Sequence, residues 1–259
     1  MDRFFVEADN IDLDNKKLKI FGEDVKHITK VLRYSSGDKI EVCDGNNKEY
    51  ICEIVDFDKE SVELNILESV DILRESKVKV RLYQGLPKST KMDIILQKLT
   101  ECGVSEIILV NTERTVVNLK DKKADKKLER WERIIYEAAK QSKRGIVPKL
   151  SGIMTFKEAI EDMKSNDINM SPYEEERSLG IKEFLSSDEV KSIAEKKDEL
   201  RVGIFIGPEG GFTEKENSII KSNNISSVTM GPRIFRTETA SIASTVITMY
   251  ELGDIGNSF

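Results

Sequence analysis

Along the first seventy residues, apolar and polar positions alternate over short stretches. Residues 38–43, 49–55 and 61–66 are rich in Val, Ile and Tyr, and Gly37-Asp38, Asp44-Gly45-Asn46-Asn47 and Asp56-Phe57-Asp58-Lys59 punctuate them. This pattern predicts short β-strands, interrupted by one helical stretch over about 24–32, and strands at this spacing predict a small β-barrel. After Arg74 the period lengthens. Residues 78–83 predict a strand, and Met92, Ile95, Leu96 and Leu99 then recur at helical spacing. Gly103 stands where a residue just past a helix end would, and 107–110 follow as a buried strand. A charge run over 120–127 reads as a solvated loop or helix start, after which Trp131, Ile134, Ile135, Ala138 and Ala139 mark an apolar helix face. Strand and helix continue to alternate to the end, which predicts an α/β domain on a largely parallel sheet. The change of period places a boundary near 70–76 and gives domains 1–72 and 73–259. A final helix over about 238–252 is expected to bury Ile242, Ala243, Val246, Ile247 and Tyr250. There is no internal repeat and no low-complexity tract.

Composition narrows the class. The 259 residues carry 41 Lys+Arg and 47 Asp+Glu, a net charge of −6, which evenly spread would argue against a polyanion partner. The charge is not even: residues 74–149 hold 19 basic and 10 acidic residues, a local +9, while the flanks sum to −15. An acidic chain with a basic middle can still hold a nucleic acid, because affinity follows the face presented. No apolar run approaches the ~18 residues of a membrane span. Met1-Asp2-Arg3-Phe4-Phe5 leads directly into strand-like sequence without a signal-peptide core, so a cytoplasmic protein is expected. Cys43, Cys52 and Cys102 lack CxxC spacing and read as small buried residues in a reducing compartment. With His27 the only histidine, a His-based metal site is excluded and a Ser-His-Asp triad disfavoured; no metal is expected.

Two segments could carry chemistry. The apolar run 202–206 enters Gly207-Pro208-Glu209-Gly210-Gly211-Phe212, and Thr213-Glu214-Lys215-Glu216 has capping-box form for the next helix. Glycines at this density let backbone approach a ligand, and the carboxyl end of a parallel strand is where α/β proteins bind one; the plain alternative is a tight strand-to-helix turn. The segment lacks the Lys-Ser/Thr of a P-loop and is not GxGxxG, and Glu209 would repel phosphates, so a cationic or zwitterionic ligand suits it better. Further on, residues 227–230 predict a short strand, followed by Gly231-Pro232-Arg233-Ile234-Phe235-Arg236-Thr237-Glu238-Thr239-Ala240 entering the last helix. Arg236, Thr237 and Glu238 cluster at that helix N-terminus, where Thr237 as N-cap and Glu238 as a dipole-matched acid would be the purely structural roles.

These two loops resemble the cofactor loops of the SPOUT superfamily of S-adenosylmethionine-dependent RNA methyltransferases, most closely the RsmE-type family that methylates N3 of a uridine in 16S ribosomal RNA. Other blocks resemble it in order: Gln84-Gly85-Leu86-Pro87-Lys88 with Lys91-Met92-Asp93, Gln97-Lys98-Leu99-Thr100-Glu101-Cys102-Gly103-Val104, Glu113-Arg114-Thr115-Val116-Val117, and Glu137-Ala138-Ala139-Lys140-Gln141-Ser142-Lys143-Arg144. His27-Ile28-Thr29-Lys30-Val31-Leu32-Arg33 with Gly37-Asp38 resembles its PUA-like RNA-binding domain. The resemblance implies a homodimer, a PUA-like β-barrel domain ahead of a SPOUT-type α/β domain, and a C-terminal trefoil knot that holds S-adenosylmethionine beside the dimer interface. Carried over by position, the cofactor residues are Ser171, Pro172, Tyr173 and Glu174; Ile206, Gly207, Pro208, Glu209, Gly210 and Gly211; and Met230, Gly231, Ile234, Phe235, Arg236, Thr237 and Ala240. The charged stretch 186–200 has no counterpart.

Uracil N3–H is weakly acidic, so methylation there needs loss of a proton and stabilisation of charge at O2 and O4. Arg236 is expected to stabilise the anionic base and Glu238 to accept the proton, though in-line positioning alone could supply much of the rate. RNA contact is expected from Arg3, Lys30, Arg33, Lys88, Lys91, Arg114, Lys143 and Arg144. The alternatives are another SPOUT methyltransferase acting on a ribose 2′-hydroxyl or a tRNA base, and a non-catalytic RNA-binding ribosome assembly factor.

Overall fold

The computed structural model describes residues 1–71, 74–115 and 123–256. It divides into two compact units, Met1–Glu75 with Ala139–Val147, and Ser76–Ala138 with Pro148–Phe259. The first therefore ends a few residues beyond the expected 72 and also takes in a nine-residue segment from the middle of the chain.

In the first unit, β1 (Arg3–Phe5), β2 (Ile11–Asp12), β3 (Lys17–Phe21), β4 (Lys39–Cys43), β5 (Lys48–Phe57) and β6 (Ser61–Asp71) form one sheet in the order β1-β4-β5-β6-β3-β2. The β1–β4 pair is parallel and the others antiparallel. Alternation decides the faces: in β3, Leu18 and Ile20 point inward while Lys17, Lys19 and Phe21 face out. Register shifts at Ile51/Cys52 and Ile54/Asp56 of β5 bend the sheet around a core that includes Phe4, Ile40, Val42, Tyr50 and Val62. A short helix α1 (Glu23–Lys26) runs into a wider turn over His27–Val31 and plugs this core with Val25 and Ile28. Burial pushes the Cys43 and Cys52 thiols up to about 11 and about 12, as expected for inert packing residues.

In the second unit, β7 (Val78–Gly85), β8 (Glu106–Asn111), β9 (Lys149–Thr155), β10 (Ile168–Pro172), β11 (Leu200–Ile206) and β12 (Ser226–Val228) form a wholly parallel sheet in the order β12-β10-β11-β7-β8-β9. The helices are α2 (Ser89–Glu101), α3 (Lys123–Gln141), α4 (Phe156–Met163), α5 (Ile181–Leu185), α6 (Asp188–Glu195), α7 (Glu214–Ser222) and α8 (Thr237–Glu251). The expected charge run 120–127 lies partly outside the described residues; from Lys123 it is the start of α3. Apolar side chains cover one sheet face, among them Tyr83, Ile108, Phe205 and Phe212, the last two stacked edge-on at 4.8 Å. The unmatched stretch 186–200 forms α6, capped by Ser187, and leads into β11.

The chain winds outward through β8 and β9 on one side of β7 and fills the other side with β10, β11 and β12. The strand order thus reverses between β7 and β11, and the carboxyl end of the sheet around such a reversal is the usual place for a ligand crevice in these folds.

One expectation fails. In α8 the buried face is Thr237, Ser241, Ser244, Thr245, Thr248 and Met249, whereas Ile242, Ala243, Val246 and Ile247 are only partly covered and Tyr250 is 64% exposed. Ser244 and Thr248 donate their hydroxyls to the carbonyls of Ala240 and Ser244 one turn back, at 2.6 and 2.8 Å, and the single Ser241 hydroxyl proton is shared between the Thr237 carbonyl and Gln84 Oε1. A small side chain whose polar group is satisfied within its own helix packs like an apolar one.

Candidate functional site

Three loops meet at the crevice. The first leaves β11 through Gly207 and Pro208 and turns by the Gly211 N–H···O Pro208 bond of 2.9 Å. It passes so close to β7 that a Cβ on Gly85 would lie 2.7 Å from Pro208 Cδ and N, so only glycine fits there. Neighbouring elements fasten it. Lys88 N–H donates to Glu209 Oε1 at 3.0 Å, Arg114 donates to the Gly210 carbonyl at 2.7 Å, and Thr237 Oγ1 donates to the Gly207 carbonyl at 2.7 Å. The predicted capping box is present: Thr213 caps α7, and the buried Glu216 returns to the Thr213 N–H while also accepting from Glu113 N–H. Burial pushes the Glu209 carboxyl up, but the Lys88 and Glu209 N–H groups and the Lys91 ammonium outweigh it and hold it below the usual carboxylate range.

The second loop follows β12, where Thr229 bridges to Gly180, and it ends with Arg236 as the N-cap of α8. Thr237 is therefore the first helical residue rather than the cap. Its hydroxyl also accepts from Gln84 Nε2 at 3.0 Å, and Gln84 Oε1 accepts from Ser241 Oγ at 2.5 Å, so a wholly buried glutamine ties β7 to α8 and the glycine loop. The third loop follows β10, which is a regular strand despite its composition. Ser171 donates to the Phe205 carbonyl, Tyr173 N–H donates to the Val228 carbonyl, and Arg177 donates to the Glu174 carbonyl. Burial and the Glu175 carboxylate push the Tyr173 phenol up to about 12, so it stays a neutral donor. Gly211 has φ +65, and a Cβ there would come within 3.1 Å of Glu174 Oε1, which brings the first and third loops together.

Between the second and third loops lies a cavity of about 180 Å³. Of the expected cofactor residues, Pro172, Tyr173, Glu174, Met230, Gly231, Ile234, Phe235 and Ala240 line it. Ile206, Gly207, Pro208, Glu209, Gly210 and Gly211 do not line it but abut it through the Gly211–Glu174 contact, and Arg236 and Thr237 flank it between Phe235 and Ala240. Arg177, Thr229, Pro232 and Arg233 also line the cavity and were not expected; a lone arginine after Tyr173-Glu174-Glu175-Glu176 was the signal for the first. A larger cavity of about 710 Å³ lies by α6 and the amino ends of β10 and β12. It takes Glu176, Ser178 and Leu179 from the far part of the third loop but nothing from the first two loops, and its Asp167 and Glu176 are already paired with Lys197 and Lys221, so the smaller cavity is the better candidate.

The expected RNA contacts separate into two groups. Lys30 and Arg33 are exposed in the first unit, and Lys88 and Arg114 in the second, Arg114 with one nitrogen on Gly210. The other four are otherwise engaged. Arg3 has no exposed side-chain surface: it pairs with Glu41 and Glu49 and donates to the Lys143 and Arg144 carbonyls. Arg144, 7% exposed, forms a two-pronged pair with Glu75; Lys143 pairs with Glu41; Lys91 lies between Glu209 and Glu238. An arginine sealed against a carboxylate cannot also reach a phosphate, so Arg3 and Arg144 are corrected to structural ion pairs that fix residues 139–147 within the first unit. Several other cations of the basic middle are likewise paired: Arg74 with Glu49, Arg81 with Glu106 and Asp162, and Arg130 with Asp93.

A parallel α/β unit with an inter-loop cavity, together with a separate mixed-sheet unit, matches the class of RNA methyltransferases that carry a PUA domain. The family model described as an RNA methyltransferase domain matches residues 74–249, and the RNA methyltransferase PUA domain matches 22–67. The Bacillus subtilis Ribosomal RNA small subunit methyltransferase E is 37% identical over 93% of both chains. The chain belongs to the Ribosomal RNA small subunit methyltransferase E family. Among solved structures, the Neisseria gonorrhoeae member bound to S-adenosyl methionine is 28% identical with a TM-score of 0.84, covering 98% of this chain and 99% of that one. A Legionella pneumophila protein in complex with the bound cofactor SAM is 26% identical with a TM-score of 0.85, covering 98% of each chain.

Proposed function

We propose that this protein transfers a methyl group from S-adenosylmethionine to N3 of a uridine in small-subunit ribosomal RNA. The observation that carries this is the cavity, formed by eight of the residues expected to hold the cofactor, in a chain of this family. The residues fit the cofactor's chemistry: Tyr173 and Phe235 offer ring faces, Glu174 a carboxylate for hydroxyls, and Arg177 and Arg233 positive charge for a carboxylate. At about 180 Å³ the cavity is small. Small-molecule sites are usually ~300–1,000 Å³. Its second-loop wall is open to solvent, with Ile234 83% exposed.

Bound there, the cofactor supplies an electrophilic methyl group. Arg236, exposed at the N-cap of α8, is placed to stabilise negative charge on uracil O2 and O4. Glu238, in the first turn, has its Oε2 sealed and without a hydrogen bond, and its other oxygen, Oε1, would take the N3 proton. Lys30, Arg33, Lys88 and Arg114 would hold the RNA. The partly exposed apolar side of α8, with Tyr250 and the 49%-exposed Ile94 of α2, supports a homodimer, because such a surface favours burial against a second copy. The trefoil knot belongs to the same proposal: α8 follows the edge strand β12 yet returns to Gln84 and Gly207 at the central strands. No helix among the described residues is long and apolar enough to cross a membrane, which accords with action on ribosomal RNA in the cytoplasm.

The test is transfer of labelled methyl to small ribosomal subunits that lack the modification, followed by primer extension. One new strong stop at a uridine is expected, because an N3 methyl blocks pairing. Label without a stop would reassign the attacked atom, and no label would overturn the proposal.

A further inference from the structure

We propose that Lys91 is a positioning residue for methyl transfer, holding Glu238 through an ion pair shared with Glu209, and is not an RNA contact. This rests on the role given to Glu238 above.

Lys91, in the first turn of α2, is only 26% exposed, and its Nζ lies 3.5 Å from both Glu209 Oε1 and Glu238 Oε2. The two carboxylates come from different elements, one from the glycine loop after β11 and one from α8. A single ammonium thus joins the loop beside the cavity to the helix that carries the proton acceptor. Glu238 Oε2 has no hydrogen-bond donor among the described residues and is closed to solvent. A carboxylate oxygen sealed in this way is tolerated only when a nearby charge compensates it, and the Lys91 ammonium is that charge. With Oε2 held by Lys91, Oε1 is the oxygen assigned to the incoming base.

The charges also balance across the reaction. Before transfer, one ammonium serves two carboxylates. When the N3–H bond breaks, its electron pair stays on the base to form the bond to the methyl carbon, the sulfur–methyl bond breaks with its electrons kept by sulfur to leave S-adenosylhomocysteine, and the proton bonds to Glu238 Oε1. Lys91 is then left with Glu209 alone as a neutral pair, so neither state holds an unmatched cation. Glu209 keeps the ammonium in place because the Lys88 N–H independently fixes its Oε1 at 3.0 Å. A phosphate seeking Lys91 would have to displace two carboxylates already in contact with it.

The test uses the full-length protein with unmodified small subunits, comparing Lys91→Met and Lys91→Arg with wild type. Expected for Lys91→Met are affinity for S-adenosylhomocysteine within about threefold and kcat at saturating substrate reduced at least about tenfold, with substrate KM unchanged, the pattern of an interaction that acts in the transition state. Lys91→Arg should recover to within about threefold of wild type, because it restores the charge. The dependence of RNA affinity on salt should not change. A raised KM with kcat retained, and a salt slope shallower by about one, would make Lys91 a phosphate contact and overturn the proposal. Unchanged kinetics would overturn it too. If Lys91→Met does not fold, Lys91→Gln, which keeps a donor but no charge, decides in the same way. A wild-type protein that makes no N3-methyluridine defeats the proposed function itself, whereas an active wild type with an equally active Lys91→Met defeats only this inference.

Discussion

Thr237→Val tests whether the crevice is held together from within. The substitution keeps the branched shape and removes one oxygen. That oxygen donates to the Gly207 carbonyl at 2.7 Å and accepts from Gln84 Nε2 at 3.0 Å, and Gln84 is fully buried. Two buried partners would lose a bond each, at ~1–3 kcal/mol per unmatched group. Gln84 Nε2 also donates to the Gly85 carbonyl at 2.9 Å, so its share falls at the lower end. The sum is about 2–4 kcal/mol, a large fraction of the ~5–15 kcal/mol that keeps a protein folded. For a unit of this size that corresponds to roughly 5–15 °C in the midpoint of thermal unfolding.

The same bond fixes the glycine loop, so function should suffer with stability. Affinity for S-adenosylhomocysteine, measured by titration calorimetry well below the unfolding temperature, is expected to fall about tenfold, or ~1.4 kcal/mol. Thr237→Ser, which keeps the hydroxyl and loses only a methyl, should remain within about 1 kcal/mol of wild type. Thr237→Val unfolding within ~0.5 kcal/mol of wild type, with undiminished affinity, would show that the Gln84–Thr237–Gly207 connection does not hold the site.

Three further outcomes are expected. Gly85→Ala places a Cβ 2.7 Å from Pro208 backbone and ring atoms and should weaken S-adenosylhomocysteine binding by displacing the loop; calorimetry that cannot tell it from wild type would refute the close approach. Arg144→Ala leaves Glu75, 5% exposed, without its cation and should cost ~3–5 kcal/mol in denaturant unfolding. Its RNA affinity should keep the wild-type salt slope, and a slope reduced by about one would restore Arg144 as a phosphate contact. Glu176 is held at about 2 by the Ser178 hydroxyl and N–H and the Lys221 ammonium, with the Arg177 N–H adding to these against a smaller opposing effect of burial. A free glutamate titrates near ~4.3, so between these values the unfolded chain binds more protons than the folded one. The stabilisation is full above about pH 5 and is lost as pH falls towards 2. The stability gap between wild type and Glu176→Gln should shrink over that range, and a gap independent of pH would contradict the assignment.

The elements were legible because period is a local property. Alternation marked β4, β5 and β6, the Met92–Leu99 spacing marked α2, and the Thr213-to-Glu216 spacing gave the cap of α7. What failed depends on distant partners. Arg3 and Arg144 read as free cations because the groups that take them up lie far off in the chain, 69 residues away for Glu75 and 141 between Arg3 and the Arg144 carbonyl. Eight of the residues that the resemblance assigned to the cofactor come together around one cavity, yet no pattern of apolar and polar positions pointed to Arg177, which comes to the cavity through its hold on the Glu174 carbonyl.

The misassigned face of α8 shows why hydropathy alone could not orient that helix. Ser241, Ser244 and Thr248 count as polar in any ranking, yet Ser244 and Thr248 close their hydroxyls on their own helix, Ser241 shares its own between the Thr237 carbonyl and Gln84, and all three present a small, dry surface. A small surface lets α8 approach β7 and β11 closely, and that approach puts Thr237 within bonding distance of Gly207 and Gln84. Larger apolar residues on this side would hold the helix away and break the connection to the glycine loop. The apolar residues are therefore displaced to the opposite side, where this chain only partly covers them. The inner face of α8 meets the geometric demand of the site, and its outer face is the surface that the proposed homodimer would bury. A helix whose inner face is chosen for close approach carries its apolar residues on the other side, and a reading that expects the apolar stripe to face the core selects the wrong one.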